Sequence, residues 1–147
     1  MGLDVGDKRI GVALGDPTGW IASSLTVITR TSLKRDVQII GELAKEHEVQ
    51  KIIVGLPRRM DGTLGEQAQK AQAFGRELER RLGLPVVFWD ERLTTVAAEK
   101  MMIGAGVRRE KRRERIDAVA ASLMLQSYLD FQRSRTRTFD GIPPYED

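Results

Sequence analysis

Three acidic positions on separate segments could act together: Asp4 inside an apolar run, Asp90 or Glu91 at the end of another, and Asp117 at the start of an alanine-rich stretch. Asp4 is the hardest of them to explain as mere structure. It lies between Leu3 and Val5, just before Gly6. An isolated ionised carboxylate inside a sheet costs several kcal/mol, roughly, unless a cation or hydrogen-bond donors meet it. A bound metal ion would meet that need. Clustered carboxylates are also what metal-assisted phosphodiester cleavage requires, because two ions roughly 4 Å apart activate water and stabilise the leaving oxygen. Oxygen donors of this kind suit Mg2+ or Mn2+. The chain has no cysteine, which excludes disulfides, thiolate metal sites and thiol nucleophiles. Taken singly, Asp117 could be a first-turn acid complementing a helix dipole, and Asp90 or Glu91 a helix-flanking acid.

The elements that must position these residues follow from hydrophobic spacing. Leu3 and Val5 in one run and Ile10, Val12 and Leu14 in the next, with Gly6 to Arg9 between, read as a hairpin. After the turn cluster Gly15 to Gly19, Ile21 to Ile28 reads as a third strand, so the chain opens as an antiparallel meander. Thr31 or Ser32 can cap a helix running to about Glu48, with Leu33, Val37, Ile40 and Ala44 facing the sheet. Lys51 to Gly55 reads as a parallel strand buried on both faces. A helix over about 64–82, with Ala71, Phe74, Leu78 and Leu82 inward, leads into a second parallel strand, Val86 to Trp89. That strand delivers Asp90 and Glu91 at its carboxyl end, where open α/β sheets bind ligands. A short helix from Thr95 to Ile103 and a last helix from about Arg115 to Phe131 follow, the latter with Ile116, Val119, Ala120 and Leu123 inward. The expectation is an α/β domain over 1–131 with a mixed five-stranded sheet, three antiparallel strands plus two parallel ones, flanked by helices. A basic, flexible tail over 132–147 completes it.

At 147 residues, 41% hydrophobic and 31% charged, the chain suits one compact domain. No apolar run approaches a membrane span and no signal segment opens the chain, which reads as a cytoplasmic protein. The net charge of +3 hides an uneven spread: between Ala105 and Phe139 nine Lys or Arg stand against four acids. Such a cluster is the electrostatic footprint of a phosphate-bearing partner, nucleic acid above all; the competing reading is a solvated loop and tail.

Four stretches taken together resemble one family. Leu3-Asp-Val-Gly-Asp-Lys-Arg-Ile-Gly-Val-Ala13, Ile53 to Pro57 with Met60-Asp-Gly-Thr63, Asp90-Glu-Arg-Leu-Thr-Thr95, and Ile116-Asp-Ala-Val-Ala-Ala121 with Leu125-Gln-Ser-Tyr-Leu129 are similar in order and spacing to the YqgF or RuvX family of the ribonuclease H-like superfamily. The resemblance covers the chain to about Asp130. It implies a ribonuclease H-like sheet, a nuclease dependent on Mg2+ or Mn2+, and maturation of the 5′ end of 16S rRNA; Holliday-junction resolution is the older suggestion. Matched position by position, it implies Asp4, Glu91 and Asp117 as the metal-binding carboxylates, with Asp90 as a helper. Likeness to the related RuvC resolvases implies a further acid three residues before Asp117, here Glu114, although its Arg-rich setting equally suits surface pairing.

Around this set, Arg9, Arg58 and Arg59 stand where phosphate contact is expected; Lys8 reads equally as a phosphate contact or a solvated hairpin-tip charge, and Arg92 as a phosphate contact or a partner of Asp90 and Glu91. Arg108, Arg109, Lys111, Arg112 and Arg113 read as a mobile substrate clamp. His47, the single histidine, reads as a surface or capping residue and leaves no side-chain general base. Trp89 reads as core, whereas Trp20 in a turn could stack on an unpaired base. Three alternatives to an RNA-cleaving enzyme, monomer or homodimer, stay open. A dimeric resolvase acting on four-way DNA is one. An idle nucleic-acid-binding module is another, and an ATP-binding domain the third, the last disfavoured by chain length.

Overall fold

The computed structural model describes residues 1–57, 61–90 and 109–137, with the side chains of the last helix described over 117–135. Strands β1 (Gly2–Val5), β2 (Arg9–Gly15) and β3 (Ala22–Thr29) form the expected meander. Helix α1 (Leu33–Glu46), strand β4 (Ile52–Leu56), helix α2 (Glu66–Leu82), strand β5 (Val86–Asp90) and helix α3 (Arg109–Arg137) follow. The sheet order is β3-β2-β1-β4-β5. The pairs β1/β2 and β2/β3 are antiparallel, and β1/β4 and β4/β5 are parallel. The mixed five-stranded sheet read from the sequence is therefore the observed one. The expected helix from Thr95 to Ile103 lies outside the described residues.

Strand alternation divides the sheet into two faces. Leu3, Val5, Ile10, Val12, Val54 and Leu56 pack with Val37, Ile40, Phe74 and Leu78 of α1 and α2. On the other face Ala13 and Ile53 pack with Ala121, Met124, Leu125 and Tyr128 of α3. Asp4 alternates with Leu3 and Val5 and so belongs to the α3 face.

Helix α1 begins at Ser32, whose hydroxyl accepts the Arg35 N–H at 3.1 Å; Leu33, expected to point inward, is instead 39% exposed in the first turn. Gly83, at φ 69°, stops α2 by accepting the left-handed conformation that L side chains resist. Helix α3 departs most from expectation. It spans 29 residues rather than about 115–131, so it takes in both the basic run from Arg109 and residues 132–137 of the supposed tail. Its inward face is Ala120, Ala121, Met124, Leu125 and Tyr128, while Val119 and Leu123 are only half-buried. The reason is the surface it lies on. A Cβ on Gly11 would stand 2.0 Å from the Asp117 carbonyl oxygen, and one on Gly2 would stand 2.9 Å from the Leu125 Cβ. Glycines thus form a trough that admits the helix almost to backbone contact. Among the described residues no helix is long and apolar enough to cross a membrane.

Candidate functional site

Asp4 pairs across the β1/β2 ladder with Gly11, and the backbone of Asp117 lies against that same glycine. Two carboxylate residues 113 positions apart are thereby brought to one spot on the α3 face. Arg9, at the start of β2, completes the arrangement: its Nε donates to Asp117 Oδ2 at 3.0 Å, with the two side chains 28% and 29% exposed. The pair is screened from water only in part, so it orients Asp117 more than it stabilises the fold. Sequence reasoning assigned Arg9 to phosphate; its nearest business here is with a carboxylate.

The remaining expected residues divide clearly. Asp90 ends β5 opposite Leu56. It is in step with Val86 and Phe88, which pack on the α2 side, whereas Val87 and Trp89 pack toward α3. The described residues contain no group of three or more acidic or histidine side chains able to hold a metal, so Asp4, Asp90 and Asp117 do not form one. Glu91, Arg58, Arg59, Arg92 and Arg108 lie outside the described residues, as does the side chain of Glu114. Lys8 is exposed in the turn between β1 and β2. Arg109, Lys111, Arg112 and Arg113 belong to the first turns of α3 and not to a loop. At about 1.5 Å per residue they begin roughly 6 Å up the helix axis from Asp117, continuous with the site.

One pair escaped the sequence reading. Asp36 is 1% exposed. Its carboxylate accepts from Arg30 Nε at 3.2 Å and from the Thr31 N–H at 3.1 Å, while Arg30 Nη1 donates to the Gly6 carbonyl at 2.9 Å. The Arg30 guanidinium also lies 4.9 Å over the Phe74 ring. This pair, buried at Asp36 and half-buried at Arg30, ties α1 to Gly6 in the turn that follows β1. Arg30 precedes the helix that the sequence predicts and Asp36 lies in its first turn, and only opposite charges six residues apart hinted at a pair.

Trp20 is 59% exposed, yet the Arg133 guanidinium sits 4.3 Å over its ring, so one face of the expected stacking platform is taken. Its loop is built on Asp16, which accepts from the Thr18 hydroxyl and from the Ile21 and Trp20 N–H groups. These bonds, the Thr18 hydroxyl foremost, hold the Asp16 carboxyl below the ordinary 3.8. Trp89 packs between Tyr128 and Phe131, at ring distances of 5.4 and 5.1 Å. His47 caps α1, its backbone N–H donating to the Leu43 carbonyl.

An acid in the middle of the first strand, a second acid on the helix crossing that strand, and the sheet order β3-β2-β1-β4-β5 define a ribonuclease H-like nuclease fold. Solved structures of resolvases share it. RuvC of Thermus thermophilus, in complex with a Holliday junction substrate, aligns with a TM-score of 0.54 at 15% identity over 90% of this chain and 93% of that one. The fowlpox virus Holliday junction resolvase aligns at 0.50 and 13% identity over 88% and 97%. Within that class, the family model described as "RuvX: Holliday junction resolvase" matches residues 1–131. Relatives named "Putative pre-16S rRNA nuclease" are 53% identical over 130 residues in Moorella thermoacetica, covering 88% of this chain and 93% of that protein. In Desulforamulus reducens the figures are 51% over 130 residues, covering 88% and 95%. The chain belongs to the RuvX family of nucleases, hydrolases that act on phosphodiester bonds.

Proposed function

We infer that the chain cleaves RNA with the help of a divalent cation, Mg2+ or Mn2+, and that it works in the cytoplasm on the 5′ end of pre-16S rRNA. The observation that carries the reading is the convergence of Asp4 and Asp117 on Gly11, at the foot of the basic first turns of α3. The two carboxylates offer only oxygen, the donor that hard divalent cations take, and so fit such an ion. The third ligand in this reading is Glu91, the residue after β5, because strand alternation turns Asp90 toward α2. A bound divalent cation supplies positive charge at the scissile phosphate and a lowered pKa for attacking water. The chain's own residues do the rest. Asp4 and Asp117 fix where charge is gathered, Arg9 aims Asp117, and Arg109, Lys111, Arg112 and Arg113 draw in the phosphate backbone. His47, at the far end of α1, takes no part. The names of the relatives favour pre-16S rRNA as substrate.

A second reading, a resolvase of four-way DNA, is favoured by the family model's description and by the junction-bound RuvC structure. It requires a dimer presenting two sites to opposed strands. One experiment separates the two. Purified protein is incubated with end-labelled pre-16S RNA and with a four-way DNA junction, each with Mg2+, Mn2+ or EDTA, beside Asp4→Asn. RNA cleavage lost in EDTA and in the variant is the expected result. Paired symmetric nicks in the junction alone would replace it with the resolvase reading, and silence on both substrates would refute both.

A further inference from the structure

Arg9 precedes Gly11 and Ala13 on the same face of β2, so its side chain rises toward α3 at the spot where Asp117 touches the sheet. The guanidinium is not spread over solvent there. Its Nε–H lies on Asp117 Oδ2 at 3.0 Å, an interaction spanning 108 residues of sequence. A guanidinium beside a carboxylate answers the same charge that a divalent cation would answer, and the oxygen that receives Nε–H has that lone pair committed. Arg9 also borders an open groove of about 370 Å³ along β3 beside Ala118 of α3, lined by Ser24, Leu25, Thr26, Val27 and Thr29. The guanidinium therefore has open space beside it.

We propose that Arg9 is a positioning residue that serves as an internal cation for Asp117, and that it yields the carboxylate to a divalent cation, turning toward the β3 groove. The proposal rests on the reading of Asp117 as a cation ligand. Arg9 also gives Asp117 a fixed direction before any cation arrives.

The test measures Mn2+ binding to the full chain by electron paramagnetic resonance of the free ion, at neutral pH and without nucleic acid, so that no cleavage is read. Arg9→Gln should bind Mn2+ about fivefold more tightly than wild type, the range of a partly exposed ion pair removed from competition. Lys8→Gln, which loses the same charge from the exposed neighbouring position, should change binding by less than about twofold, since an exposed charge is screened. Equal tightening in both variants, or weaker binding in Arg9→Gln, would overturn the competition. A wild type that binds no Mn2+ would instead overturn the ligand reading of Asp117 on which it rests. A second measurement needs no folded variant. The Arg9 Nε–Hε resonance of wild type should shift and exchange faster as Mg2+ is titrated in, and a resonance that stays in place while Mg2+ binds would refute the handover.

Discussion

Gly11→Ala is expected to move one carboxylate away from the other while leaving both in the sequence. The added Cβ would stand 2.0 Å from the Asp117 carbonyl oxygen and 2.5 Å from its carbon, where real Cβ atoms keep at least 3.0 Å. The obstacle is backbone, so no side chain can swing aside, and α3 must retreat at Asp117 by about 1 Å. Overpacking of this kind costs about 3 kcal/mol at the upper end of its usual range, or about 10 °C in Tm for a chain of this size. A misplacement of about 1 Å in a reacting group costs about 100-fold in rate. Gly15→Ala is the matched control: its Cβ would meet only the tip of Leu129, at 3.4 Å, and should leave melting within about 2 °C of wild type. The assays are thermal unfolding followed by circular dichroism, and single-turnover cleavage of end-labelled RNA in Mn2+. A Gly11→Ala protein that melts and cleaves as wild type does would refute the claim that this contact sets the distance between Asp4 and Asp117. Equal damage from Gly15→Ala would refute it too.

Arg30→Ala should lower stability by about 3 kcal/mol because it leaves the buried Asp36 carboxylate without its cation, with the Thr31 N–H as its remaining donor, whereas the double variant Arg30→Met, Asp36→Leu should recover much of the loss in a denaturant titration. The Asp16 carboxyl titrates below 3.8 in the folded chain. Its contribution to the β2/β3 loop is thus complete above the unfolded value and lost only as pH falls through the lower folded one. Amide exchange of Trp20 and Ile21 should accordingly stay slow at about pH 4 and quicken below it, a transition absent in Asp16→Ala. Replacing Arg112 and Arg113 by Ala should weaken RNA binding and lower the slope of log affinity against log salt by about 1 for each phosphate contact removed, measured by fluorescence anisotropy.

The sheet was readable because its residues announce their environment. Asp4 interrupts an apolar alternation, Ile52 to Leu56 is apolar on both parities, and Gly83 ends a periodic run. Helix α3 was harder for a definite reason. Its contact with the sheet is made where glycine meets alanine, so the stripe that is most buried is not the stripe that is most hydrophobic, and Val119 and Leu123 outrank Ala121 on any hydropathy scale. Its start was hidden in the same way. A run from Arg108 to Arg115 looks like a solvated loop by charge, although Glu110 and Glu114 stand among the cations at helical spacing. The Arg30 and Asp36 pair was invisible because burial of a charge is decided by the whole fold and not by its neighbours in sequence. Of the site, the convergence of Asp4 with Asp117 was legible from residue type, but its means, Gly11, was legible only as a strand residue.

The bond from Arg9 to Asp117 also places a clock on the enzyme. Chains leave the ribosome amino end first, and the β1–β2–β3 meander can form from local contacts while the rest is still being made. Its Asp4 then stands on a finished strand before Asp117 exists, because the helix bearing Asp117 is the last described element to emerge. If Asp4 and Asp117 hold the cation together as proposed, a nascent chain that has exposed only the meander carries half of that site, and cleavage waits until the helix bearing Asp117 has emerged and packed.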